Sequence, residues 1–268
     1  MTAAALRRPA VRGGGRVRGI DLLRLALRQH RMLIIDTVLV CAALAVYLLT
    51  WHGSRVDLLG LANMEELIRY DVIGLSVVFA VFWGAPLLSR EYEQRTHVLV
   101  WSQDVSRTRW LLTKLALLVP IVVVLTVGVE LVNEIVYTYT HQVILSGGGA
   151  LTYAFLLGFE GNILVQVGYA LAAFAIGLVI GGLTRIPVVA MVASGLVFVV
   201  IRMTIADWLR ALYLPTIQAD SFTGVDDQSN AAQSVLHTGR VIEFAIYLVI
   251  AALCLAFAWF GVRRRQRV

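Results

Sequence analysis

The chain has 268 residues, 59% of them hydrophobic, and its mean hydropathy is +0.79. A soluble domain is nearer half apolar, and here the surplus is gathered in blocks close to the roughly 20 residues a helix needs to cross a bilayer. The net charge of +6 sorts between the ends of those blocks, which points to membrane topology and away from a nucleic-acid partner.

Met1 to Gly19 carries scattered arginines and Gly13-Gly14-Gly15, and reads as a disordered basic tail. It lacks an apolar core followed by a small-residue cleavage site, so no cleavage is expected. Ile20 to Gln29 sets Leu22, Leu23, Leu25, Ala26 and Leu27 against Asp21, Arg24 and Arg28. It reads as an amphipathic helix lying along the inner leaflet; a basic extension of the first span is the alternative.

The predicted spans follow in order. The first is Met32 to Trp51, and the second is Asp71 to Leu88, with Gly84 and Pro86 near its end. Then comes a polar island, Ser89 to Lys114. The third span begins near Trp110 and can run to Tyr137, with Pro120 inside it; it is longer than a bilayer requires. Thr138 to Gly161 reads as an outer loop, and Asn162 to Leu183 as the fourth span. A tight turn at Thr184 to Pro187 leads into the fifth span, Val188 to Ala206, because Pro187 suits the first turn of a helix. Asp207 to Arg240 is the longest polar loop. The sixth span, Val241 to Val262, ends in a basic tail over residues 263–268.

Six spans put both termini on one side. With both ends inside, 18 of the 23 Lys and Arg fall on the cytoplasmic face and 5 on the outer face. That asymmetry orients the chain as a multi-pass protein of the cell membrane with cytoplasmic termini. The expected fold is therefore all-α: one transmembrane domain over 20–262 between two basic tails.

Chemistry inside a membrane leaves ionisable groups at depth. Glu130 and Glu134 stand four apart on one helix, the spacing of a shared face. Glu130 lies about 30 Å along the helix from Trp110, at the outer boundary; Glu243 lies a similar distance from Arg263. Both glutamates of the third span are outer-face candidates, and these outer acids are expected to be solvated. The estimated span centres, near Cys41, Ala80, Val122, Ala172, Gly195 and Ala252, are uncharged, which suits a hydrophobic or amphipathic cargo better than an ion. Gly177 and Gly181 form a small-xxx-small pair that lets a second helix approach closely, in this chain or in another copy.

No GxxxxGK[ST], HExxH or CxxC occurs, and the five histidines (His30, His52, His97, His141, His237) are scattered. No P-loop and no metal site is expected in this chain. Cys41 and Cys254 both lie in apolar runs and read as small buried side chains.

The polar island holds Arg90, Glu91, Glu93, Arg95 and Thr96, then Trp101, Ser106, Arg107, Trp110 and Lys114. Residues 89–97 can continue the second helix into the cytoplasm and offer a charged helix to a soluble partner. An ordinary positive-inside loop anchored by indoles at the headgroup level accounts for the same residues.

Six spans, an amphipathic start and the segment REYEQRT…WSQDVSRTRWLLTKL resemble the permease subunits of type-2 ABC exporters. Glu91, Glu93 and Thr96 match the family's Glu-x-Glu-x-Gly-Thr-like run, with Arg95 in place of its glycine. Ser106, Arg107 and Lys114 match its Ser-Arg-x-x-x-x-x-Lys-like run. The resemblance implies a coupling helix at about 89–97 that presses on a separate P-loop subunit, which binds the ATP and magnesium. It also implies a dimer with a second permease copy, identical or not, and short re-entrant helices in the 207–240 loop. On this reading the chain is a transport subunit embedded in lipid, with no ATPase site and no cofactor of its own. A non-transporting anchor or sensor that recruits a cytoplasmic complex is the alternative. An intramembrane enzyme would require catalytic acids or histidines at depth.

Overall fold

The computed structural model describes residues 19–51, 74–93, 106–146, 159, 161–184, 186–213 and 227–264. Among them there is no strand, and six helical stretches account for nearly all of the described residues. α1 is Gly19–Trp51. α2 covers 74–93 and contains a π-helical turn, Phe79–Gly84, followed by the α-helical Ala85–Glu93. α3 is Arg107–Ser146, α4 Ile163–Thr184 and α5 Pro187–Thr204. A second π turn, Ile205–Leu209, and one helical turn, Arg210–Tyr213, follow α5. α6 is Asp227–Arg264.

Five stretches are long and apolar enough to cross a membrane: Ile20–Val46, Thr108–Ile135, Ile163–Thr184, Pro187–Thr204 and Leu236–Gly261. Their apolar side chains face outward in numbers that water would not tolerate, among them Leu39, Val40, Val124, Val188, Val200, Leu253 and Phe260. Lipid is the solvent that suits such a surface. α2 is not among the five, although it is the second span expected from the sequence.

Three expectations change. No break separates an interfacial helix from the first span: α1 runs for 33 residues without interruption, because nothing between Gln29 and Met32 is a helix breaker. Its buried stripe, Leu22, Ala26, Thr37 and Cys41, keeps helical spacing through the join. The polar residues after Tyr137 are helical to Ser146, and those before Val241 are helical from Asp227. Polar composition marks exposure to water, not the end of a helix. The basic tail over 1–18 and residues 265–268 lie outside the described residues.

α2 and α4 form the centre. They run parallel and meet backbone to backbone, because Gly84 faces Phe174, Gly177 and Leu178, while Gly177 and Gly181 face Ala80 and Ala85. A Cβ at Gly177 would strike the Ala80 carbonyl oxygen, and one at Gly181 the Ala85 carbonyl oxygen. Lipid tails are as apolar as leucine, so close van der Waals contact of this kind is what holds helices together in a bilayer. The π turn in α2 ends just before Pro86. Proline has no N–H for the Phe82 carbonyl and its ring would crowd that oxygen; instead the Ala85 N–H reaches back to the Ala80 carbonyl. Ser194 of α5 donates to the same carbonyl at 3.3 Å.

α1 lies against α3 and reaches α2 through a polar contact. The Trp83 indole N–H donates to Thr37 Oγ1 at 3.0 Å, and the Thr37 hydroxyl donates to the Leu33 carbonyl at 2.8 Å. Around it pack Phe79, Leu87, Leu118, Val122 and Phe174. A second apolar cluster, with Val165, Tyr169, Ile176, Phe198 and Tyr247, joins α4, α5 and α6. Cys41 is buried and Cys254 half-buried, and both are free thiols.

Candidate functional site

Charged side chains gather at the two ends of the bundle. At the end where α2 stops and α3 starts, Glu91 is buried and ion-paired with Lys114 of α3. The Lys114 ammonium also sits 4.3 Å from the centroid of the Trp110 ring, a cation–π contact. His30 of α1 lies within electrostatic reach of Lys114 and Arg90. Ser106 caps α3: its Oγ accepts from the Arg109 N–H at 3.3 Å, and its carbonyl accepts from the Trp110 N–H at 3.0 Å. Arg107 opens the helix.

The residues expected to meet a partner thus divide. Arg90 and Glu93 are exposed, whereas Glu91 faces inward and joins two helices. Ser106 is exposed but occupied in capping. Arg95 and Thr96, with the second half of the expected 89–97 helix, lie outside the described residues.

The other end, where α4 begins and α5 finishes, holds a larger group. Glu243 of α6 is 0% exposed. Its Oε1 accepts from Arg210 Nη2 at 2.8 Å and from the Tyr169 hydroxyl, and its Oε2 accepts from the Tyr213 hydroxyl at 2.8 Å. Arg210 also donates to the Tyr169 oxygen at 3.3 Å, and its guanidinium lies 5.2 Å from the Phe159 ring centroid. The Arg202 guanidinium sits 4.3 Å over the Tyr169 ring. Tyr247 meets that ring edge-on at 4.5 Å. Burial first, and then the Glu243 charge, push the Tyr213 phenol above its ordinary range, so it stays protonated and serves as a donor. Asn162 caps α4 by accepting the Leu164 N–H at 3.1 Å, which fixes the turn from which Gln166 and Tyr169 project.

The outer acids are therefore not uniformly solvated. Glu134 is exposed, but Glu130 is buried and accepts from Asn133 Nδ2 at 3.3 Å. The buried face of α3 passes through Leu118, Val122, Thr126, Val129, Glu130 and Asn133, and its edge falls between the two glutamates. Gly177 and Gly181 are spent on α2 within the chain. The Glu243 group escaped notice in the sequence because its members come from α4, α5 and α6 and from the turn after α5. One signal was present: Arg202 interrupts an apolar helix, and an ionisable residue in a span marks a buried partner.

A family profile described as ABC-2 membrane transporter related matches residues 62–210. The chain belongs to this family. The match starts before α2 and ends at Arg210, so this ABC-2 related protein carries α1 and α6, and with α6 Glu243, outside the matched region. No curated protein and no solved structure matches the chain.

Proposed function

We propose that this ABC-2 related protein is the permease subunit of an exporter whose ATP is hydrolysed by a separate P-loop subunit. α1 to α6 are its six spans, with α2 as the second, and both termini are cytoplasmic. Two permease copies enclose a path for a hydrophobic or amphipathic cargo, bounded by lipid-facing helices. The observation that carries this reading is the family match across residues 62–210, which contains the polar island between α2 and α3. The absence of any P-loop motif from the sequence fits a split system in which this chain does no covalent chemistry.

Force enters on this reading at Arg90 and Glu93, whose side chains are exposed at the end of α2. Glu91 plays a different part. Paired with Lys114, it welds α2 to the base of α3, so a push on the exposed residues moves both helices. The glycine seam then carries α4 with α2.

The test is co-expression with a P-loop ATPase subunit, sought first in the neighbouring reading frame, followed by pull-down and assay in liposomes. Glu93→Arg is expected to cut recovery of the ATPase subunit about tenfold, since a reversed charge at a docking face opposes association. Unchanged recovery together with unchanged cargo movement defeats the coupling assignment. Association without any cargo movement in the unaltered protein makes the chain an anchor.

A further inference from the structure

The turn after α5 is attached to the bundle in an unusual way. Of the apolar residues in 205–213 that the structure describes, Ile205 alone is buried. Trp208 is 78% exposed, Leu212 82%, and Leu209 also faces out. Apolar packing therefore does little to hold the segment down beyond its first residue. Its inward contacts are polar: Arg210 and Tyr213 both donate to the single buried carboxylate of Glu243, and Arg210 covers Phe159.

The segment is also separated from α5 by a π turn, in which the Arg210 N–H reaches the Ile205 carbonyl. Such turns interrupt the regular α-helical hydrogen-bond ladder and recur at functional sites. The carboxylate itself is anchored independently of the segment, through Tyr169 of α4. Three pieces of chain thus converge on two oxygens, two of them fixed and one hinged.

We infer that residues 205–213 form a strap over this end of the bundle and that Glu243 is its latch. When the latch holds, Arg210 and Tyr213 lie over the ends of α4 and α6. When it lets go, the strap swings on the π turn while α4 and α6 stay packed, still joined through Tyr169.

The experiment is hydrogen exchange of the full-length chain in lipid nanodiscs, without the ATPase subunit. Glu243→Gln is expected to speed amide exchange across 205–213 by about tenfold or more, since it weakens both of the strap's bonds to a charged group, while the backbone ladders of α4 and the rest of α6, packed together by apolar contacts as well, exchange at the unaltered rate. Tyr213→Phe and Arg210→Gln remove only strap-side donors, and each is expected to reproduce the effect in that segment alone. Exchange in 205–213 that stays at the unaltered rate in all three variants overturns the latch. So does faster exchange that spreads across the whole bundle in Tyr213→Phe and Arg210→Gln, because the contacts would then be general packing. Neither readout needs ATP or cargo, so a failure here leaves the exporter reading standing, and a chain that fails to bind an ATPase leaves the latch standing.

Discussion

Glu91 and Glu243 are both buried carboxylates with a basic partner, yet they are built for different tasks. Glu91 is ion-paired with Lys114 on the neighbouring helix. Glu243 gathers donors from α4 and from the turn after α5. The pair of Glu91 and Lys114 joins one helix directly to another. A carboxylate shared among several donors can lose some of them and remain satisfied by another, which is the property a reversible closure requires. On this comparison the end where α2 stops and α3 starts is the rigid one, and, with the latch inferred above, the opposite end is releasable at its edge.

The largest expected effect comes from breaking the rigid end. Lys114→Met leaves Glu91 buried without its cation and is expected to destabilise the fold by about 3–5 kcal/mol, the usual cost of uncoupling a buried pair. Glu91→Leu combined with Lys114→Met removes both charges and is expected to recover most of that loss. Thermal melts of the purified protein in detergent check both. A double variant as unstable as the single one means that the pair is not the weld described. At the other end, Tyr169→Phe leaves Arg210 and Tyr213 on Glu243, so its cost is expected to be smaller than that of Lys114→Met; the reverse order would contradict the contrast drawn above.

The glycine seam joins α2 to α4 along their length, and a second prediction probes it. Gly181→Ala drives a methyl group into the Ala85 carbonyl oxygen, where the obstacle is backbone and cannot swing aside. Overpacking of that kind costs about 1–3 kcal/mol. Gly128→Ala is the control, since nothing lies within 4 Å of a Cβ there and alanine favours the helix by about 1 kcal/mol. Melting temperature should fall for the first variant and hold or rise for the second. Equal behaviour would mean that α2 and α4 are not locked, and that movement at one end need not reach the other.

How much of this was legible beforehand follows from the physics of each signal. The spans were legible because hydropathy is a sum over some 20 residues and tolerates local exceptions: the predicted fourth span, Asn162 to Leu183, and the helix Ile163–Thr184 differ by one residue at each end. Helix ends inside polar sequence were not, since Thr138 to Ser146 and Asp227 to Arg240 lack apolar periodicity on either reading. Glu91 stood in the polar island, but its inward orientation depends on Lys114, 23 residues away and on another helix. Glu243 was misjudged by depth alone: distance along a helix locates the membrane boundary but not which face of the helix is covered. Gly177 and Gly181 announced a close approach, and only the fold says that α2 is the helix approached.

The smallest expected effect sharpens the account of the rigid end. Two features fix the start of α3 there: the Ser106 cap and the Lys114 pair, which lie two turns apart on the same helix. Ser106→Ala removes the hydroxyl that accepts the Arg109 N–H and is expected to cost about 1 kcal/mol, as lost caps do, whereas Ser106→Asp keeps an acceptor and is expected to cost less. The cap orders only the first turn of α3. The ion pair ties that helix to α2. If electrostatics between helices is what makes this end rigid, the Ser106→Ala loss should be several times smaller than that of Lys114→Met in the same detergent melts, and it should be restored by aspartate. A Ser106→Ala loss as large as that of Lys114→Met would shift the weld from the pair between helices to the geometry of one helix end, and the contrast with Glu243 would have to be drawn on different residues.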